Sequence, residues 1–275
     1  MDEQHRKKKR IIIIAVYAAI FLGIVFWIYL ATRPAATCTD GKKNQNETGI
    51  DCGGSCKACA EDTSKLSPIS VVETAFVPSG QGRYDAVAKI SNPNNGYGSS
   101  KFHYRLTLTD ANGKILVDKS GEDFILPVET KYVIETGLIT GGVPERVDVT
   151  ISSTTWTKFS GYEKPQLNVY NKSYNLISSG VGFSQAYGLL RNESSFDFDT
   201  IEVNIVLRDS SSKIVALNKT TMNTVNSGEE RDFKLVWPAS FPGDVQDVEA
   251  QANANVFDSQ NFIKKYLPAQ EFQQY

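Results

Sequence analysis

The chain has 275 residues, enough for about two domains, and carries 29 Lys and Arg against 31 Asp and Glu. A formal net charge of −2 argues against a nucleic-acid partner, and a hydrophobic content of 41% is ordinary for a folded chain. The whole sequence holds two histidines and four cysteines.

Charge is unevenly placed. Residues 1–10 hold five basic and two acidic side chains, residues 11–31 hold none, and the remainder carries a net of −5. The uncharged run Ile11–Ala31 is 21 residues long. As a helix it rises about 31 Å, matching a bilayer core of about 30 Å. Arg6, Lys7, Lys8, Lys9 and Arg10 precede the run and only Arg33 follows closely. The positive-inside rule therefore puts residues 1–10 in the cytoplasm, residues 11–31 across the membrane and the bulk outside. Trp27 and Tyr29 fall where an outer aromatic belt belongs. A cleaved secretory signal competes with this reading. Its apolar core would be about 7–15 residues, and no clean small-x-small site follows Leu30.

Residues 32–65 form a neck and linker in which Cys38, Cys52, Cys56 and Cys59 fall within 22 residues. An even, clustered count outside the cytoplasm predicts two disulfides, and the sequence leaves all three pairings open. A four-cysteine zinc site usually has two Cys-x-x-Cys knuckles, and only Cys56–Cys59 supplies one. Asp40, Asn44, Glu47 and Asp51 offer hard oxygens of the kind calcium takes, at spacings that are not those of an EF-hand. Polar turns account for the same residues without a metal, and no other cofactor is expected. The stretch resembles a C-x-D-G-x-x-N-x-x-E-x-G-x-D-C-G-G-x-C-x-x-C motif of bacterial and archaeal surface proteins, matched at every named position from Cys38 to Cys59. That resemblance implies an exported, disulfide-bonded spacer.

Beyond Pro68 the pattern turns to short alternating strands. Phe102, Tyr104, Leu106 and Leu108 alternate with His103, Arg105, Thr107 and Thr109, which predicts a half-buried strand, and Asp110-Ala-Asn-Gly113 supplies turn chemistry after it. Ile201, Val203, Ile205 and Leu207 alternate with Glu202, Asn204, Val206 and Arg208, followed by Asp209-Ser-Ser-Ser212. Ile90-Ser-Asn92 likewise answers Leu190-Arg-Asn192, and Val143-Pro144 answers Phe241-Pro242. Across these anchors the offset stays at 98 to 100, which predicts an internal duplication. The expected fold class is mainly β: one N-terminal transmembrane helix, a disulfide-rich neck, and two tandem antiparallel immunoglobulin-like sandwiches. Residues 66–160 and 162–258 form the sandwiches, and residues 259–275 a polar tail.

Both repeats resemble FxLYD-type domains of bacterial envelope proteins through Leu106-Thr-Leu-Thr-Asp110 and Ile205-Val-Leu-Arg-Asp209. The signature's leading aromatic is aliphatic here, and its tyrosine position is held by Thr109 or Arg208. The family implies an extracytoplasmic binding or spacer module. No catalytic residues carry over from it, and no Ser-His-Asp or nucleotide motif stands in the chain. Trp156, Phe159, Trp237 and Phe241 read as packing residues. Asn46, Asn171, Asn192 and Asn218 begin Asn-x-Ser/Thr triplets. The expected role is a membrane-anchored, non-enzymatic interaction or structural protein of the cell envelope, with a protein or envelope partner on its β-domains. An accessory subunit of a transport, secretion or pilus assembly is the alternative.

Overall fold

The computed structural model describes residues 2–31, 38–44, 46–57, 59, 62–159, 161 and 163–267, with side chains at 2–6, 30 and 31 outside the description. The backbone divides into two compact units, residues 1–62 and residues 63–275.

The first unit contains helix α1 (Asp2–Ala31) and the neck. Helix α1 holds no proline, and its one glycine, Gly23, meets nothing within 4 Å of a built Cβ. Its apolar side chains meet no core: Ile14, Phe21 and Trp27 are each at least two-thirds exposed. The neck is closed by Cys38–Cys56 and Cys52–Cys59, an interleaved pairing among the three that the sequence allowed. Gly53 and Gly54 both adopt positive φ, at 81° and 61°. Added Cβ atoms there would collide with Thr48 and with the Asn46 carbonyl, so this turn admits only glycine.

The second unit is built from twelve strands. The first repeat holds β1 (Ser70–Gly80), β2 (Arg83–Asn92), β3 (Tyr97–Thr109), β4 (Ile115–Ile125), β5 (Glu129–Ile139) and β6 (Arg146–Lys158). The second repeat holds β7 (Leu167–Leu176), β8 (Ser184–Asn192), β9 (Phe198–Arg208), β10 (Ile214–Val225), β11 (Glu230–Trp237) and β12 (Asp247–Ala254). Four antiparallel sheets result, ordered β1-β2-β5 and β4-β3-β6, then β11-β8-β7 and β10-β9-β12. Adding six to each strand number of the first pair gives the second, so the two halves share one strand order.

Local chemistry repeats with it. Asp110 accepts the amides of Asn112 and Lys114, and Asp209 accepts those of Ser211 and Lys213. The left-handed residue of each turn is Gly113 (φ 80°) or Ser212 (φ 62°). Asn92 and Asn192 are both buried. Asn92 Nδ2 donates to the Tyr97 and Leu126 carbonyls, and Asn192 Nδ2 to those of Phe196, Val225 and Asn226. Glu129 and Glu229 each accept the amide three residues upstream, from Leu126 and Asn226.

The sheets form layers. In the first sandwich Ala88, Ile90, Phe102 and Tyr104 pack between its two sheets, and in the second Ile201, Val203, Ile205 and Leu207 pack against Leu190 and Leu235. A third cluster joins the repeats: Val77, Val87, Tyr132 and Ile134 from the outer face of β1-β2-β5 meet Val206, Ile214 and Leu217 from β9 and β10. The half-buried reading therefore fits β3 but not β9, where Asn204, Val206 and Arg208 are buried under the first repeat. Burying a side chain such as Val206 or Leu217 contributes about 1.5–3 kcal/mol each, as an upper estimate.

Residues 260–267 also depart from the expected loose tail. Gln260–Tyr266 form helix α2, whose Phe262, Ile263 and Tyr266 are buried. Phe262 and Tyr266 contact the Phe196 ring, and Phe159 stacks on Phe257 and Phe262. Residues 268–275 of that tail lie outside the described residues.

Candidate functional site

The neck places the four calcium-type residues in turns. Asp40 accepts the Lys42 amide and Asn44 Nδ2, Glu47 accepts the Asn44 amide at 3.0 Å, and Asp51 accepts the Gly41 amide through both oxygens. Asp40, Asn44 and Glu47 form one hydrogen-bonded chain, with Asp51 bonded elsewhere. Among the described residues no group of three or more His, Cys, Asp or Glu stands close enough to share a metal ion.

Lys7, Lys8, Lys9 and Arg10 are exposed at the start of the apolar helix, and Trp27 and Tyr29 are exposed near its end; the Arg6 side chain lies outside the described residues. The segment Lys7–Tyr29 is long and apolar enough to cross a membrane, and none of it is buried.

No catalytic cluster forms around the remaining candidates. His103 Nδ1 sits 3.4 Å from Glu122, and the carboxylates of Asp110 and Asp209 are occupied by turn amides. Trp237 is core, donating its indole N–H to the Leu217 carbonyl at 2.9 Å. Asn192 is fully buried and triply bonded, so in the folded chain it offers no surface for glycosylation.

Where the repeats meet, a polar joint surrounds Arg208, which the sequence places on the off-phase of a strand and at the signature's tyrosine position. Its Nη atoms bind both Glu73 oxygens at 2.9 Å each, and its Nε binds Glu249 at 2.6 Å. Tyr132 donates its hydroxyl to Glu249 and receives Arg208 Nη2 at 3.1 Å. Hydrogen bonding from Arg208 holds the Glu73 carboxyl below the ordinary carboxylate range. Burial, helped by Glu249, pushes the Tyr132 phenol up.

The same joint caps a sheet edge. β5 is an edge strand, and Gln251 of β12 accepts the Tyr132 amide at 2.8 Å and donates to the Thr130 carbonyl at 2.9 Å. One side-chain amide thus satisfies two ladder groups that a neighbouring strand would otherwise take.

β12 is an edge strand of its own sheet and stands beside β7. Among the described residues it pairs only with β9, through eight successive positions from Asp247↔Arg208 to Ala254↔Ile201 with no register shift. Three grooves border it. One of about 540 Å³ runs between residues 164–170 and Ala250–Asn253, and one of about 330 Å³ between Lys172–Tyr174 and Val245–Val248. A third, about 440 Å³, lies between Lys89, Thr130 and Tyr132 on one side and Glu249–Gln251 on the other, with Lys172 at its margin.

No family model matches the chain, and no curated protein matches it. Among solved structures the chain is similar to red sea bream transglutaminase, at 10% identity and a TM-score of 0.25, over 69% of this chain and 31% of the transglutaminase. The chain thus spans about a third of that enzyme's length, and a likeness this slight carries no activity across.

Proposed function

We propose that the chain is a single-pass membrane protein of the cell envelope that holds a rigid pair of β-sandwiches outside the cytoplasm for an interaction or structural role. The observation that carries this reading is α1, whose apolar side chains from Ile11 to Tyr29 are all exposed, with none of the segment buried in the protein. Lipid is the solvent that suits such a surface. The five cations of residues 6–10 set the orientation, with the N-terminus cytoplasmic. The two disulfides of the neck suit an oxidising exterior. The resemblance of the neck to exported spacers and of the repeats to FxLYD-type modules supports the same placement. Alkaline extraction of native membranes, followed by intact mass, tests it. The reading expects the chain in the pellet with residues 1–31 still attached; a soluble form lacking them marks a cleaved signal sequence and overturns the anchor.

The second reading, an accessory subunit of an envelope assembly, is favoured by the β12 edge, which among the described residues pairs only with β9. Detergent solubilisation and pull-down separate the two: a stoichiometric membrane partner supports the accessory role, and its absence supports a stand-alone surface protein.

A further inference from the structure

We propose that Asn171 carries an N-linked oligosaccharide, and that it is the acceptor which the folded β-unit presents for this modification. The proposal rests on the exterior placement argued above, because the sugar donor must face the same compartment as residues 63–275.

The fold separates the Asn-x-Ser/Thr triplets. Asn192 is wholly buried and its Nδ2 donates to three carbonyls, so a substituent on that nitrogen would break the turn around it. Asn218 stands in a regular stretch of ladder opposite Ile205. Its Nδ2 donates to the Val236 carbonyl at 3.1 Å, and its Oδ1 accepts the Lys219 amide at 2.9 Å. Both ends of that amide are in use. Asn46 is exposed, but the hydroxyl of its triplet is wedged into the neck. Thr48 Oγ1 lies 3.3 Å from Cys59 Sγ, and a Cβ built on Gly53 would collide with it.

Asn171 stands differently. β7 pairs with β8 at Tyr170↔Leu189 and resumes at Ser173↔Tyr187, so Asn171 and Lys172 together oppose Gly188 alone. Two residues against one make a bulge, which leaves the extra residue out of the ladder. Asn171, Lys172 and Ser173 are all exposed. Among the described residues no hydrogen bond engages the Asn171 amide or the Ser173 hydroxyl. The middle residue is lysine and not proline, so the acceptor motif is complete.

Backbone geometry explains part of this sequence. Asn171 has φ 51°, in the left-handed region that glycine and asparagine tolerate best. Glycine would serve that geometry as well, and the geometry asks nothing of Ser173. An exposed hydroxyl two residues beyond an exposed amide is what the bulge leaves unexplained and the glycan uses.

The step is a group transfer on a membrane transferase. The Asn171 amide nitrogen attacks the anomeric carbon of an oligosaccharide held on a lipid diphosphate. The new N–C bond forms as the anomeric C–O bond to phosphate breaks. The nitrogen gives up one proton, and the lipid diphosphate leaves and takes one up.

The test is peptide mass mapping, without reduction, of the full-length chain from its native membranes. We expect added oligosaccharide mass on the peptide spanning residues 167–176 in most molecules, placed on Asn171 by fragmentation, and none on Asn192 or Asn218. Ser173→Ala and Asn171→Gly, expressed in the same cells, should each lose that mass completely and still melt cooperatively. Asn171→Gly keeps a residue suited to the left-handed φ, so loss of the sugar there does not report loss of the fold. An unmodified Asn171, a sugar retained in Ser173→Ala, or a sugar on Asn192 or Asn218 overturns the proposal. The same map reads the neck. An unmodified Asn171 with Cys38–Cys56 and Cys52–Cys59 linked overturns the glycan and leaves the exterior placement standing, whereas an unmodified Asn171 with four free thiols overturns both.

Discussion

Arg208 of the second repeat and Glu73 of the first meet in a two-pronged ion pair, with both Nη–Oε distances at 2.9 Å. Arg208 is 8% exposed and also holds Glu249, so one guanidinium ties β1 to β9 and β12. The two sandwiches therefore share a joint in which a single cation serves two carboxylates.

Removing that cation leaves two carboxylates facing each other at the joint. Arg208→Ala is expected to destabilise the protein by about 2–3 kcal/mol, less than a fully buried pair costs because both glutamates keep about a third of their surface. Urea unfolding followed by tryptophan fluorescence checks this. The variant should also unfold in two steps where the native chain shows one, and Glu73→Gln should show non-additive coupling with it. The pH dependence has a fixed sign. Because Arg208 lowers the folded Glu73 pKa, this contribution is full above the unfolded value and is lost as pH falls through the folded one.

Asp85 works in the opposite direction. It is 6% exposed and accepts the Gly137 amide at 2.7 Å, yet burial raises its pKa above the ordinary value. Its contribution is therefore present at pH below the unfolded pKa and is lost as pH rises through the folded one. Asp85→Asn keeps an acceptor for Gly137 without the charge. Its melting temperature should exceed the native one at pH 7, and the two should converge below about pH 4.

The buried asparagines give a paired prediction. Asn92→Ala and Asn192→Ala each orphan buried carbonyls at the same place in the two repeats. Each should cost about 2–4 kcal/mol, read by chemical denaturation. Similar costs are expected because the two side chains are equally buried and make like contacts.

The duplicated turn offers a stabilising change. Ser212 occupies the left-handed position that glycine fills at Gly113. Ser212→Gly relieves strain of about 1–2 kcal/mol and loses part of that to chain entropy, so a gain of about 0.5–1 kcal/mol is expected. Gly113→Ser should lose a similar amount. Thermal melts of the two variants check the pair.

The matching turns of the two halves were legible in the sequence because turn residues and buried asparagines recur at a nearly constant offset, and each recurrence has a local physical cause. The joint was harder to read. Ile205-Val206-Leu207 and Ile214-Val215-Ala216-Leu217 are continuous apolar runs, and that continuity is the mark of strands buried on both faces. Such a run says that something covers the second face without saying what. Arg208, Glu73 and Gln251 are ordinary surface types in sequence, and only their meeting across more than one hundred positions makes them structural. The α2 helix is seven residues long, too short to show more than the spacing of Phe262, Ile263 and Tyr266.

The account rests most heavily on which side of the membrane the β-sandwiches occupy. Limited proteolysis of intact cells, read by mass spectrometry of the membrane and released fractions, addresses that directly. The account predicts release of a folded fragment carrying residues 63–275, while the basic segment of residues 6–10 stays with the membrane and is cut only after lysis. A fragment containing the sandwiches that resists protease until the cells are lysed would contradict it.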